Sequence, residues 1–152
     1  MLKRDIRFQG AIVKDGRVLL IRHAEHDNGR TYWLFPGGGK EDGESDHACV
    51  CREMREETGL EVRVDELLFD EPYTVPGTYE RRRMYLCTPI AGEAAPGYEP
   101  EVEASSVYGI VEVRWVSVTD EAEWGEMRDD PFTGPELRRL RASLTDRATK
   151  DG

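Results

Sequence analysis

A chain of 152 residues can bury one good core and is too short for two comfortable domains. Hydrophobic residues make up 38% and charged residues 34%, the balance of a soluble globular protein, and no apolar run reaches the roughly 18 residues of a membrane span. The net charge of −10 argues against a surface that neutralises nucleic-acid phosphates. Neither nucleic acid nor membrane is therefore an expected partner. A small phosphorylated ligand stays open, because a metal ion can bridge like charges.

The N-terminal run Met1 to Phe8 has no apolar h-region, and Cys49, Cys51 and Cys87 are odd in number with no zinc spacing. Both point to a cytoplasmic protein with reduced thiols.

In chain order, Arg7 to Val13 reads as the first strand. Asp15-Gly16 is a tight-hairpin signal, and Val18 to Ile21 is the apolar return strand. His23 to Thr31 is polar, contains Asn28-Gly29 and is expected to be a loop. Tyr32-Trp33-Leu34-Phe35 leads into Pro36-Gly37-Gly38-Gly39. A helix should start at Ser45 or Asp46 and stop at Gly59, with Cys49, Val50 and Met54 turned inward. Val62 to Val64, Leu67 to Phe69, Tyr79 to Ile90 and Val111 to Val116 read as strands. Glu93 to Ser106 is rich in Pro, Gly, Ala and Glu and reads as a long loop. Thr119 or Asp120 caps a short helix through Trp124, and Pro135 to Leu144 is the last helix. Residues 1–146 form one domain on this reading, with 147–152 a fraying tail. Strands with helices before and after them suggest an α/β fold, a mixed sheet sandwiched by helices.

Residues 38–60 carry the chemistry. On a helix, Glu53, Glu56 and Glu57 fall at i, i+3 and i+4, on one side. Like charges so placed repel, by about 0.2–0.5 kcal/mol per pair even when exposed. Arg52 and Arg55 offset part of this and cannot neutralise all three. Glu44 adds a fourth carboxylate ahead of the helix, and the glycines let the backbone come close. Such a cluster suits divalent cations with hard oxygen ligands, which can bridge a diphosphate and activate a water. Acidic helix faces alone are commonplace. Here seven identities (Gly38, Glu44, Arg52, Glu53, Glu56, Glu57, Gly59) fall at fixed spacing. At background frequencies of about 7% each, the chance per starting position is on the order of 10⁻⁸.

The segment resembles the Nudix box, Gly-x5-Glu-x7-Arg-Glu-U-x-Glu-Glu-x-Gly-U, at every fixed position, with Met54 and Leu60 in the apolar slots. The Trp33 to Gly38 lead-in and the Glu112 to Trp115 strand also look like the Nudix hydrolase family. The resemblance implies a Nudix-type α/β/α sandwich with a mixed β-sheet. It implies cleavage of a diphosphate bond in a nucleoside diphosphate linked to another moiety, with Mg²⁺ or Mn²⁺ as cofactor. Relatives are often monomers or homodimers, and a homodimer is open here. A domain that senses a nucleotide without cleaving it is the alternative, but such modules typically lose box glutamates, all of which are kept here.

Carried over by position, Glu53, Glu56 and Glu57 bind metal, and Glu53 occupies a position that in some members takes a proton from the attacking water. Arg52 orients a neighbouring glutamate, Glu57 shares the catalytic set, and Glu44 serves as an outer ligand or a structural residue. The carbonyl of Gly37 or Gly38 matches a backbone metal contact. A later carboxylate is often recruited, from Glu99, Glu101, Glu103 or Glu112, and Glu112 is favoured because it lies on a strand. For the substrate, Arg22 could pair with a phosphate, Tyr32 or Trp33 could stack on a base, and Gly38 and Gly39 line the approach. Lys40 and Asp42 depart from common box residues without touching a fixed position. Pro76 hints at ADP-ribose, the Trp33-x-x-Pro36-Gly37-Gly38 lead-in at a triphosphate, and Tyr73 and Tyr79 lie near a spacing seen with dinucleoside polyphosphates, so the substrate stays open. Arg81-Arg82-Arg83 is expected at a solvated strand edge.

Overall fold

The structure, a computed structural model, describes residues 4–73, 79–97 and 108–151. Its strands are β1 (Arg4–Lys14), β2 (Arg17–Glu25), β3 (Thr31–Leu34), β4 (Gly37–Gly38), β5 (Glu61–Pro72), β6 (Tyr79–Ala91) and β7 (Tyr108–Ser117). Helix α1 spans Asp46–Thr58 and helix α2 spans Thr133–Asp151, with a 3₁₀ segment Glu121–Arg128 before it.

The hairpin between β1 and β2 opens into a fork. Asp15 and Gly16 take left-handed backbone (φ 51 and 75), as the tight turn requires. Beyond the turn only Val13↔Val18 and Lys14↔Arg17 pair directly. The strands then part, and the following chain fills the gap. β3 pairs with β2 from Ile21↔Leu34 to Ala24↔Thr31, while β4 pairs with β1 at Phe8↔Gly38 and Gln9↔Gly37. The central order is β3-β2-β1-β6-β5, with β4 on β1 and β7 on β2. β1 and β6 run parallel and the other pairs antiparallel, so the sheet is mixed, as expected.

Alternation along the strands divides the core between two faces. Phe8, Ile12 and Leu19 pack with Cys49, Val50 and Met54 of α1. Ala11, Leu20, Trp33 and Phe35 pack with Trp124, Met127, Leu137 and Leu140. A β-carbon on Gly10 would collide with the Met54 sulfur, so α1 lies directly on β1.

Several expectations are corrected. The polar stretch after residue 22 is not all loop: β2 continues to Glu25, and His23 is buried because it faces the sheet interior. The two short strands at 62–69 are one, β5, whose register shifts at Val64/Glu66 and Leu67/Phe69 hide its periodicity. Helix α2 runs to Asp151 instead of ending near Leu144, where Thr145 bonds back to Arg141 and Arg147 pairs with Glu66 of β5. The arginine run is not simply solvated. Arg81 and Arg83 both meet Asp70, while Arg82 turns to the other face and pairs with Glu71 and Glu136.

Candidate active site

Helix α1 is fixed at both ends by its own sequence. Ser45 accepts from the Ala48 amide at 3.1 Å, and Gly59 closes the helix with φ 77. The carbonyls left over in the last turn are taken by the segment that follows β6: Ala95 donates to Thr58 at 2.9 Å and Gly97 to Glu57 at 3.0 Å. A β-carbon on Gly97 would overlap the Glu56 carbonyl, so this backbone lies flat on the helix end.

The helix presents its glutamates to β4. Glu57 is fully buried and accepts from the Gly37 amide at 2.7 Å. Glu53 is also buried, and a β-carbon on Gly38 would stand 2.5 Å from its Oε1. Only glycine leaves that carboxylate its place.

Arg52 gathers the remaining acids. Its Nε and Nη2 hold Glu44 at 2.7 and 2.9 Å, and its Nη1 reaches Glu53 at 3.0 Å and Glu56 at 3.1 Å. Nη2 also donates to the Gly39 carbonyl at 3.0 Å. Hydrogen bonding from Arg52 holds Glu44 down at about 2. Burial pushes Glu53 the other way, to about 7, against the pull of Arg52 and Arg7. Arg55 pairs loosely with Glu61 at 3.8 Å, so the hydrogen bonds that neutralise Glu44, Glu53 and Glu56 come from Arg52.

Among the described residues, no three acidic, histidine or cysteine side chains converge in the manner of a finished metal site. The acids close on the guanidinium instead. Their chemistry nonetheless fits a hard divalent cation: Glu53, Glu56 and Glu57 are all oxygen donors, and the missing side chain at Gly38 lets the Glu53 carboxylate lie against the β4 backbone.

The other expected residues form a second group. Glu112 lies opposite Arg22 in the β2–β7 register and is held by Arg22 at 3.3 Å and Arg114 at 3.1 Å. No described contact joins it to the α1 glutamates. Arg22 also donates to Thr31 at 2.9 Å. Both arginines sit over the Trp33 ring, at 5.8 and 4.5 Å, and the Trp33 indole donates to Glu126 at 2.6 Å. Trp33 is thus a buried packing residue instead of an open stacking platform. Tyr32 is half-buried against His23, with ring centroids 5.7 Å apart. Glu99, Glu101, Glu103 and Pro76 lie outside the described residues.

A buried polar group on β1 has no counterpart in the sequence reading. Arg7 donates to the Phe35 carbonyl at 2.9 Å, Gln9 donates to Glu136 at 3.3 Å, and Arg82 pairs with Glu136 at 2.9 Å. Burial, with Arg7 nearby, pushes His23 down to about 4, so it is neutral at pH 7. The signal was present: Arg7 and Gln9 are polar at alternate positions of a strand whose same face continues with Ala11 and Val13.

The NUDIX domain model matches residues 8–134, and the chain belongs to that family. It is similar to a MutT-like protein of Streptomyces ambofaciens, 51% identical over 84 residues, covering 55% of this chain and 51% of that protein. It is also similar to the NAD-capped RNA hydrolase NudC of Vibrio parahaemolyticus, 30% identical over 109 residues, covering 72% of this chain and 40% of that one. The chain spans about half, or less, of the length of these curated relatives. Among solved structures, a NUDIX hydrolase from Nitrosomonas europaea superposes with a TM-score of 0.69 at 22% identity, over 92% of this chain and 90% of that one. At that identity the likeness shows the α/β fold.

Proposed function

We propose that this chain is a Mg²⁺-dependent pyrophosphohydrolase that cleaves the diphosphate of a nucleoside diphosphate linked to another moiety. The observation that carries this reading is the set of four carboxylates, Glu44, Glu53, Glu56 and Glu57, brought together on α1 and its approach, with two glycine backbones against them. A structural domain gains little from three acids crowded on one arginine with a fourth buried beside them. Relatives named for pyrophosphate chemistry support it, among them an ADP-ribose pyrophosphatase of Methanocaldococcus jannaschii, 32% identical over 94 residues.

Glu53, Glu56 and Glu57 would hold the cation. When bound, it supplies positive charge against the diphosphate oxygens and lowers the pKa of the attacking water. Glu53, buried and already inclined toward protonation at about 7, accepts the proton of that water. Water adds to one phosphorus and the bridging P–O bond breaks, leaving a terminal phosphate group on each of the two products. Arg52 keeps Glu44 ionised and holds Glu53 and Glu56 in position. Gly37 fixes Glu57 through its amide. The chain acts in the cytoplasm, with Cys49 and Cys87 buried as thiols; among the described residues no helix is long and apolar enough to cross a membrane.

The test is incubation with Mg²⁺ and a panel of ADP-ribose, normal and oxidised nucleoside triphosphates and a dinucleoside polyphosphate, read by phosphorus NMR with Glu53→Gln as control. Turnover of one compound, lost in the variant, is the expected result. Mg²⁺-dependent binding without turnover would instead mark a sensor.

A further inference from the structure

The polar group on β1 is unexplained by the chemistry at α1. Gln9 has no exposed surface, and its Oε1 has no hydrogen-bond partner among the described residues. The Nε of Arg7, two residues earlier on the same face, is likewise buried, with no hydrogen-bond partner among the described residues. Buried polar atoms in native proteins are almost always satisfied, so a donor and an acceptor left open two residues apart on one strand face call for a partner. Both side chains are tethered by their other polar atoms. Glu136 of α2 holds the Gln9 amide nitrogen at 3.3 Å, which fixes the open oxygen on the other side of the carboxamide. Arg82 clamps Glu136 at 2.9 Å, and Arg7 is tied to the Phe35 carbonyl at 2.9 Å.

The place is as telling as the atoms. Gln9 is the register partner of Gly37, whose amide holds the catalytic Glu57. The open pair therefore lies one strand from the α1 carboxylates, on the opposite face of the sheet. Arg7 is half-buried, whereas Gln9 has no exposed surface.

We propose that Gln9, with the Nε of Arg7, reads the nucleoside end of the substrate. The group bound there must both donate to Gln9 Oε1 and accept from Arg7 Nε. A phosphate dianion cannot donate, which excludes the diphosphate itself. A ribose hydroxyl or the edge of a base does both. This inference rests on the hydrolase reading for its choice of ligand, and its test separates the two.

The wild type, Gln9→Leu and the unbranched Gln9→Met are compared on the four ribonucleoside triphosphates and their 2′-deoxy forms, with Tm measured for each protein. Steady-state constants are determined for any compound turned over, and Kd by equilibrium dialysis for all eight. The expected result is a rise in KM and Kd of about tenfold for the compound the wild type prefers, the size of one hydrogen bond to a buried partner. The loss falls on KM more than on kcat. If the ribose is read, the wild-type preference between ribo and deoxy forms shrinks in the variants. If the base is read, the preference among the four bases shrinks. A merely structural Gln9 gives a changed Tm with an unaltered preference profile, and that result overturns the proposal. If Gln9→Leu does not fold, Gln9→Met carries the comparison. A wild type that binds selectively without turnover sinks the hydrolase reading and leaves the Kd profile to decide this one. A wild type that binds none of the eight overturns the proposal.

Discussion

Arg52 holds Glu44, Glu53 and Glu56 at once, from a side chain only 12% exposed. Removing a buried partner leaves uncompensated charge, so Arg52→Ala should destabilise the metal-free protein by about 3 kcal/mol in denaturant unfolding. Glu53 and Glu44 set opposite pH trends. The folded Glu53 carboxyl lies at about 7, above its ordinary 4.5, so its contribution is complete below pH 4.5 and is lost as pH rises through 7. Glu44 is held at about 2, so its contribution is present above pH 4.5 and is lost as pH falls toward 2. Glu53→Gln removes the first trend. The metal-free variant should therefore be more stable than wild type at pH 8 and lose that advantage by pH 4.5, as measured by Tm across pH. A variant less stable at pH 8 would show that Glu53 is held ionised in the fold.

Helix α1 was legible from its caps, its inward residues and its acidic face, because each signal is local. Ser45 and Gly59 mark its ends, and Cys49, Val50 and Met54 are all fully buried. The polar group of Arg7, Gln9 and Glu136 was not legible, because 127 residues separate Gln9 from its partner and only the tertiary fold joins them. Likewise Glu112 gave no sign in the sequence that Arg22 and Arg114 would occupy it. The close fit of α1 to its neighbours gives two predictions at this scale. Gly38→Ala drives a β-carbon to 2.5 Å from Glu53 and should lower kcat by about a hundredfold with a modest change in Tm, since misplacing a reacting group by an ångström has that effect. Gly97→Ala sets a β-carbon against helix backbone, which cannot yield as a side chain can. It should destabilise the fold by about 2 kcal/mol in denaturant unfolding.

At the scale of the molecule, the proposed site rests on the fork between β1 and β2. Where the hairpin parts, β4 enters and brings Gly37 and Gly38 under the α1 glutamates. The opposite face of β1 carries Arg7 and Gln9 toward α2. On the proposed reading, a chain with net charge −10 receives an anionic diphosphate through a cation, and the α1 carboxylates are the groups that would hold it. The most direct measurement is a titration with Mn²⁺, a paramagnetic substitute for Mg²⁺, following loss of the free-ion EPR signal for wild type and for Glu53→Gln/Glu56→Gln. Saturable binding by wild type that is largely abolished in the double variant is the predicted result. Binding that persists unchanged in the variant, or no saturable binding by the wild type, would contradict the account.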